Sequence, residues 1–185
     1  HFHYEGSELT IGEGAQQIDV FAVDSNATYG DEPLQLAAMT TSGLEVEFFS
    51  SNPDVLEVNG TKLEVRGAGS ATIFAHQDGD ANFFGAPDLN ATVTVHTAEL
   101  HVIAHPASKA YLDEIPELSF HYEGFVNDEN ASALDQEPTM STTANDASPA
   151  GTYDVNASGG FAANYHFTYH GSELTIGEGA QHLDS

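Results

Sequence analysis

The chain has 185 residues, and its 29 aspartates and glutamates face only three basic residues, which gives a formal net charge of -26 at pH 7. A surface of this sign repels phosphate groups, so we expect neither nucleic acid nor an anionic membrane surface as a partner. Cysteine is absent, which excludes a disulfide framework and thiol chemistry. Hydrophobic residues still make up 40% of the chain, which predicts folded domains rather than an acidic disordered segment.

The first segment of the chain, residues 6–16, returns letter for letter as residues 171–181. An identical return at an offset of 165 residues predicts a tandem array. Residues 1–17 are then the tail of a preceding repeat, and residues 178–185 are the start of the next one. The segment carries two glycines in each copy, which we predict to be hinges between repeats: Gly12, Gly14, Gly177 and Gly179.

A weaker internal similarity, at about half that spacing, divides each repeat into two domains. Residues 18–32 align with residues 100–114, an offset of 82, and Ala81-Asn82-Phe83 aligns with Ala163-Asn164-Tyr165. We therefore expect two related domains, 18–97 and 98–177, placed end to end in an elongated particle. A domain of about 80 residues is large enough to close its own core.

The first domain shows the patterns of short β-strands. Apolar and polar residues alternate at 44–48, 55–58, 63–65, 71–75 and 93–95. Between the second and third of these segments, Asn59-Gly60 predicts a tight hairpin, because this dipeptide tolerates two positive φ angles. Strands this short, separated by such turns, predict an Ig-like sandwich.

Residues 78–82 are the sharpest candidate for a metal site. Asp78, Asp80 and Asn82 place oxygen ligands at alternate positions, as the opening of a calcium loop does. The segment lacks the glycine at position six and the glutamate at position twelve of an EF-hand, so an acidic hairpin tip is the competing interpretation. Asp128 is a second calcium candidate, with helix capping as its alternative. Calcium is the one cofactor that the sequence suggests.

The second domain adds a predicted short helix to its strands. Residues 127–134 begin with good N-cap residues and acids in the first turn, and Pro138 is expected to stop the helix. Strands are predicted at 139–143, 151–157 and 164–176. A β-sandwich and a β-grasp-like fold with one short helix both fit this pattern.

We find no catalytic motif, and we expect no enzyme. Carboxylates are too numerous for any pair of them to indicate acid-base catalysis, and no serine lies in a G-x-S-x-G motif. His101 with His105, and His166 with His170, are four residues apart, which on a strand is about 13 Å and too far for one metal ion. We therefore expect exposed sheet histidines.

Aromatic side chains raise the alternative of a carbohydrate site, because they can stack on sugar rings. Core and domain-boundary packing is the favoured interpretation of the same side chains. The candidates are Tyr4, Phe83, Phe84, Tyr122, Phe125 and Tyr169.

Several ordered motifs resemble the MBG (mostly bacterial glycine-rich) domains, which occur in long arrays on bacterial surface proteins. In the first domain, residues 27–34, 41–53, 67–73 and 81–83 are similar to the YGD-type and bacterial Ig-like pattern. In the second, residues 122–128, 149–153 and 164–176 are similar to the companion YGX type. One departure is Leu112, which stands where the pattern has glycine, so we expect that turn to differ from the one after Tyr29.

The resemblance implies a non-catalytic extender repeat of a long bacterial cell-surface adhesin, which projects a distal binding module. The implied location is extracellular, on the cell surface or secreted, and the implied partners are adjacent repeats of a monomeric chain. The alternative is a carbohydrate- or exopolysaccharide-binding module of a biofilm matrix adhesin. Near-identical repeats favour the extender, because a spacer needs copies and a receptor site does not.

Overall fold

A computed structural model describes residue 9 and residues 11–179. These residues form two compact units, one of residues 11–27 and 31–95 and the other of residues 28–30 and 96–179. Much of the predicted preceding tail and most of the predicted next repeat lie outside the described residues. The regular secondary structure of the described residues is almost entirely β-strand, as the sequence predicts.

The first unit contains nine strands in three sheets. The strands are β1 (Ile18–Ala22), β2 (Asn26–Thr28), β3 (Leu34–Gln35), β4 (Ala37–Thr40), β5 (Glu47–Ser50), β6 (Leu56–Asn59), β7 (Lys62–Val65), β8 (Gly69–Gly79) and β9 (Phe84–His96). Strands β2, β9, β8 and β5 form a sheet in that order, β3, β7 and β6 form a second, and β1 pairs with β4.

The long β8–β9 hairpin supplies much of the core of the first unit. Every second residue of β8 is buried from Ala71 through Ile73 to Ala75, as period-two alternation requires. Opposite them β9 buries Val93 and Val95, and Ala71 pairs with Val93. The alternating apolar residues of these segments are therefore buried, as their pattern predicts.

The tight hairpin predicted at Asn59-Gly60 is confirmed, and it joins β6 to β7. Asn59 pairs with Lys62, so the two loop residues are Gly60 and Thr61. Among the described residues of this turn only Gly60 has positive φ, at 62°. Glycine alone at the first central position is the pattern of a type II′ turn, so Asn59 ends the strand and only Gly60 uses the positive φ that the dipeptide tolerates.

The second unit contains seven strands in two sheets. The strands are β10 (Ala98–Ala104), β11 (Ala107–Ala110), β12 (Phe120–Glu123), β13 (Gln136–Thr142), β14 (Gly151–Phe161), β15 (Tyr165–His170) and β16 (Ser172–Gly177). One sheet has the order β12-β10-β15 and the other β11-β16-β14-β13, with β10 parallel to β15 and β11 parallel to β16.

A sandwich describes the second unit better than a β-grasp. Ala104 of the three-stranded sheet packs with Val155, Leu174 and Ile176 of the four-stranded sheet in one buried cluster. Two sheets thus enclose the core. Within the described residues, the helical content is a single 3-10 turn, Ala131–Ala133, where a β-grasp would need a packed helix.

The predicted helix from residue 127 is wrong. Asn127 and Asp128 have φ of 56° and 57°, which places them in a turn, and the N-cap of the short 3-10 turn is Asn130, whose side chain accepts from the amide of Ser132 at 3.0 Å. Pro138 stops no helix but lies in β13, at the edge of its sheet, where a missing amide proton is tolerated.

The predicted last strand, 164–176, is two strands that belong to different sheets. Strand β15 joins the three-stranded sheet and β16 the four-stranded one, with Gly171 between them. An added Cβ at Gly171 would lie 2.7 Å from the side-chain oxygen of Asn156, so the crossing leaves no space for a side chain. The two strands read as one in the sequence because their alternation continues across the glycine.

The turn at Leu112 shares one feature with the turn at Gly30. Gly30 has φ of 96°, and Leu112, at the aligned position 82 residues later, has φ of 72°. Both residues therefore have positive φ, and whether the two turns differ in other respects stays a prediction. Leucine occupies a conformation that normally favours glycine.

Candidate functional site: a histidine face on the second unit

Half of the ten histidines of the chain lie on the outer face of the sheet β12-β10-β15. Strand β10 buries Leu100 and Val102 completely, so that its alternate residues, Glu99, His101 and Ile103, point away from the core. We call the outward side of this sheet the histidine face. Its histidines are His101, His105, His121, His166 and His170.

The register of the three strands brings these residues together. Ile103 pairs with His121 on one side and with His170 on the other. Just beyond the end of β10, the amide of His105 donates to the carbonyl of Ser119 at 2.9 Å, which extends the β10–β12 pairing by one step. Histidines on three strands thus become neighbours on one surface.

In the pair His105–His121, every ring nitrogen has a polar neighbour. Nε2 of His105 lies 2.8 Å from Nδ1 of His121, and the two rings stack with centroids 5.0 Å apart. The other ring nitrogens also have partners. Nδ1 of His105 lies 3.0 Å from Oγ of Ser119, and Nε2 of His121 lies 3.4 Å from a carboxylate oxygen of Glu123.

A second pair joins β10 and β15. Nδ1 of His101 lies 3.0 Å from Nε2 of His170. Glu99 lies 4.0 Å from the other nitrogen of His101 and accepts a hydrogen bond from the hydroxyl of Thr168 at 2.6 Å. This hydrogen bond, followed by the nearby histidines, lowers the pKa of Glu99.

Sequence spacing did not predict these pairs. The sequence links His101 with His105 and His166 with His170 along one strand each, whereas the structure joins His101 to His170 and His105 to His121 across strands. His121 was not singled out at all. The missing information is register, because a contact between different strands leaves no trace in spacing along one strand.

The calcium candidates lie in two places. Asp78 contacts Nε2 of His76 at 2.8 Å, and Asp80 accepts from the amides of Asn82 and Phe83 at 2.8 and 2.9 Å at the tip of the β8–β9 hairpin. Asp128 lies in the turn that precedes the 3-10 helix. The part of the chain that the structure describes holds no group of three or more histidine, aspartate or glutamate side chains arranged for a metal ion. Calcium binding stays a prediction.

His76 is held between two carboxylates on the first unit. Asp88 contacts its Nδ1 at 2.6 Å and Asp78 its Nε2 at 2.8 Å. These hydrogen bonds, that to Asp88 first, raise the pKa of His76 above its usual value. The positive form of His76 is therefore favoured in the folded state.

Two tyrosines share one carboxylate in the second unit. Tyr29 donates to Glu129 at 2.8 Å, Tyr165 donates to the other oxygen of the same carboxylate, and the two rings meet edge to face. Burial, reinforced by Glu129, raises the pKa of Tyr165. The tyrosine of the aligned turn therefore has a packing and hydrogen-bonding role.

The aromatic candidates for sugar stacking separate into two groups. Tyr122 and Phe125 pack edge to face against each other, as core aromatics do. Phe84 and Tyr169 are 57% and 37% exposed. Tyr4 lies outside the described residues. The same holds for the histidines at positions 1 and 3.

The four predicted hinge glycines differ in their backbone hydrogen bonds and in their positions relative to the strands. Gly14 donates to the carbonyl of Asn82 at 2.7 Å and accepts from the amide of Phe84 at 2.9 Å. Gly177 ends β16. Gly12 and Gly179 lie in no strand. Their role as hinges stays a prediction.

The first unit carries an open groove of about 780 Å³ between β4, β5 and the β6–β7 turn. Met39 and Phe49 line it and are 67% and 50% exposed, and Glu45 and Glu47 add carboxylates. An exposed ring beside hydrogen-bond acceptors is one arrangement on which a sugar ring can stack.

Comparison with known families identifies the second unit. Residues 100–175 match the MBG domain of the YGX type. The second unit is an MBG domain. This confirms the resemblance that the sequence shows for that part of the chain, while the YGD-type assignment of the first unit stays a prediction. An MBG domain fits a repeat of a surface protein and an extracellular location.

Three solved structures are similar to this chain over most of its length. Drosophila N-cadherin EC1-4 matches with a TM-score of 0.38 and 9% identity, covering 91% of this chain and 50% of that one. Surface layer protein SbsC, domains 1-6, matches with a TM-score of 0.32 and 12% identity, covering 91% and 29%. The fibronectin(III)-like modules of Clostridium thermocellum CbhA match with a TM-score of 0.32 and 10% identity, covering 92% and 100%. The chain thus spans about half of the cadherin structure.

No curated protein matches the chain. In the described part of the chain, no helix has the length and apolar character needed to cross a membrane.

Proposed function

We propose that this chain is a non-catalytic extender repeat of a long bacterial cell-surface adhesin, and that it projects a distal binding module from the cell. The observation that carries the proposal is the identical return of residues 6–16 as residues 171–181. Copies that differ so little are what a spacer accumulates, since its contribution to reach grows with each added copy.

The two units provide what a repeated spacer needs. Each has a core of its own: Leu56, Leu63 and Ile73 are fully buried in the first unit, and Leu100 and Val102 in the second. Units with separate cores can be added without redesign of their neighbours. The absence of cysteine in the sequence also avoids mispaired disulfides between copies.

The charge of the chain supports the same role. With a net charge of -26, neighbouring repeats repel one another and stay soluble at the high local concentration of an array. Salt and divalent cations outside the cell screen this repulsion. The surface therefore suits a long extracellular chain.

The proposal is tested by displaying one, two and four repeats between a cell anchor and a reporter domain that captures coated beads. We expect bead capture through a thick surface polymer layer to increase with the number of repeats. Repeats displayed without the reporter are the control and capture no beads. Capture that is independent of copy number would contradict the extender function.

A second candidate function is polysaccharide binding, which the groove beside Phe49 favours. An exposed aromatic ring flanked by Glu45 and Glu47 offers a stacking surface with acceptors. If the groove binds sugar, the fragment is retained on an exopolysaccharide column, and Phe49→Ala abolishes the retention. Phe161→Ala is a matched control, because Phe161 is similarly exposed, at 60%, on the second unit. Equal elution of all three proteins from polysaccharide and blank columns would remove this candidate.

A further inference from the structure

We propose that the repeated segment is a two-sided connector between copies of this chain. Residues 7–12 supply the last strand of the second unit of a preceding copy, and residues 14–18 are bound by the first unit that follows them. The partner is therefore a second copy of the same chain. This connection requires the tandem array of the proposed function, and it specifies how successive repeats are joined.

In the second copy of the segment, the first half is buried in the second unit. Residues Ser172–Gly177 form β16, which pairs in parallel with β11 and antiparallel with β14. Leu174 and Ile176 are 0% and 2% exposed. Both belong to a buried cluster with Ala104 and Val155. Strand β16 is thus an inner strand whose side chains complete the core of this unit.

In the first copy, the same two side chains are exposed. Leu9 and Ile11 correspond to Leu174 and Ile176 at the offset of 165 residues, and they are 84% and 87% exposed. Apolar side chains at alternate positions are typical of a strand that has one face to bury. The position of β16, between β11 and β14, buries this same sequence. A second unit whose own β16 is out of place should therefore accept residues 7–12 by strand addition.

The second half of the segment shows the opposite arrangement, because in the first copy it is bound by the first unit. The amide of Gly14 donates to the carbonyl of Asn82 at 2.7 Å, and the amide of Phe84 donates to the carbonyl of Gly14 at 2.9 Å. Gln16 is buried. Its Nε2 donates to the side-chain oxygen of Gln77, and also to the carbonyl of Phe84 at 2.7 Å. This half is therefore attached to the tip of the β8–β9 hairpin.

The second copy keeps the residues that this attachment uses. Gly179 and Gln181 repeat Gly14 and Gln16. Leu183 preserves an apolar side chain at the position of Ile18, which is buried in the first unit. We therefore expect residues 179–183 to bind the first unit of a following copy as residues 14–18 bind this one.

The differences between the copies fall where a change of side chain is tolerated. His182 replaces Gln17, which exchanges two hydrogen bonds with Thr41 through its own backbone, at 3.1 and 3.0 Å. Any residue except proline can make this pair of backbone contacts. Ser185 replaces Val20, which is 46% exposed. Neither change removes a contact that the attachment needs.

Only Glu13 lies between the two halves of the connector. Gly12 corresponds to Gly177, the last residue of β16, and Gly14 is the first residue that pairs with the hairpin tip. A single residue has few conformations to choose from compared with a flexible linker. Consecutive repeats are thus joined from one β-sheet to the next without a flexible linker between them.

The experiment is strand complementation between two complete chains. The acceptor chain carries Leu174→Asp and Ile176→Asp, which place carboxylates in the core and so keep its own β16 from closing the second unit. It also carries Leu9→Asp and Ile11→Asp, which disable its own donor segment. The donor is the wild-type chain with a purification tag. The acceptor is labelled with ¹⁵N, and the two chains are refolded together from urea.

We expect a one-to-one complex, because residues 7–12 of the donor supply the strand that the acceptor lacks. Light scattering after size exclusion gives the stoichiometry. Amide exchange of the labelled acceptor, followed by NMR, should show protection of β14 only when the donor is present. An acceptor with the milder changes Leu174→Ala and Ile176→Ala is refolded in parallel, and it should bind the same donor.

Two variant donors are the matched controls. The donor with Leu9→Asp and Ile11→Asp should recover at least tenfold less acceptor on the tag. The donor with Met39→Asp and Leu112→Asp carries the same added charge at two other exposed apolar positions, 67% and 65% exposed, and should recover as much acceptor as the wild type.

Three results would overturn the proposal. The first is that neither acceptor gains a partner or protection of β14 from the wild-type donor. The second is equal recovery by the wild-type donor and by the donor with Leu9→Asp and Ile11→Asp. The third is protection of β14 in the aspartate acceptor without any donor. The complex forms in solution, whereas bead capture depends on display at a cell, so failure of the connector is distinguishable from failure of the extender function.

Discussion

At the scale of single residues, Leu112 occupies a backbone conformation that is unfavourable for any residue with a Cβ atom. Its φ is 72°, and its side chain is 65% exposed, so that little hydrophobic burial offsets the strain. A non-glycine residue in the left-handed region costs about 1–2 kcal/mol, while glycine loses about 0.5–1 kcal/mol in chain entropy. We expect Leu112→Gly to raise the free energy of unfolding by about 1 kcal/mol, measured by urea denaturation.

The control for this prediction is Leu112→Ala, which removes the exposed side chain but keeps a Cβ in the left-handed region. It should give little or no gain in stability. Equal stabilisation by alanine and glycine would show that the backbone conformation is not the cause.

Lys109 ties together two loops through its ammonium group. Nζ donates to the carbonyl oxygens of Asp113 at 2.6 Å, Asp146 at 2.9 Å and Asn145 at 3.3 Å. Lys109→Met keeps the length of the side chain and removes the donors, so we expect a loss of about 1–3 kcal/mol in the free energy of unfolding.

Lys62→Met is the control for the lysine prediction, because Lys62 is exposed and lies in the β6–β7 hairpin. A surface change of this kind normally alters stability by less than about 0.5 kcal/mol. Similar effects of the two substitutions in denaturant titrations would contradict a specific role for Lys109.

His76 makes the stability of the first unit depend on pH, and the direction of this dependence follows from its contacts. Its pKa is raised by Asp88 and then Asp78, so protonated His76 stabilises the folded state. The stabilisation is fully present below the unfolded pKa of about 6.5 and is lost as pH rises through the higher folded pKa. We expect the stability difference between the wild type and His76→Gln to be larger at pH 5.5 than at pH 9, measured by thermal melting.

Asp88→Asn is a second variant for the same test, because it removes the first of the two carboxylates that raise the pKa. It should reduce the pH dependence in the same direction as His76→Gln. A difference between the wild type and His76→Gln that grows towards alkaline pH would have the wrong sign.

At the scale of secondary structure elements, alternation predicted the strands but not their register. The alternating residues at 71–75 and 93–95 lie in β8 and β9 as expected, because one buried face is enough to leave a period of two. The pairing of His105 with His121 could not be predicted, since it depends on which residue of β12 lies opposite β10. The split of 164–176 escaped prediction for a related reason. Apolar and polar residues alternate in both halves, and only the folded structure shows that the halves belong to different sheets.

Local signals near the predicted helix were equally ambiguous. Asn127 and Asp128 are good helix-capping residues, but the same side chains tolerate the left-handed region, and in this chain they form a turn. Pro138 was expected to end a helix, and it is equally compatible with the edge strand in which it lies.

The tip of the β8–β9 hairpin allows a direct test of the predicted calcium site. If Asp78, Asp80 and Asn82 bind calcium in the folded state, calcium raises the melting temperature relative to EDTA by mass action, and magnesium does not reproduce the shift. Asp78→Asn should then abolish the shift. Equal shifts with calcium and magnesium would assign the effect to screening of the negative charge.

At the scale of the whole molecule, amino-acid composition and sequence repetition are the main support for the proposed function. The net charge of -26 and the return of residues 6–16 were evident from the sequence, and the MBG match of residues 100–175 agrees with a repeated surface domain. Sequence could not reveal the histidine face, because five histidines on three strands form a surface only after folding.

The most direct test of the extender function is the contour length of purified chains with one, two and four repeats, measured by atomic force microscopy at physiological ionic strength. The account predicts a contour length that increases by the same increment with each repeat. Particles whose longest dimension stops increasing while their volume grows would contradict it, because repeats that collapse on one another cannot project a distal module.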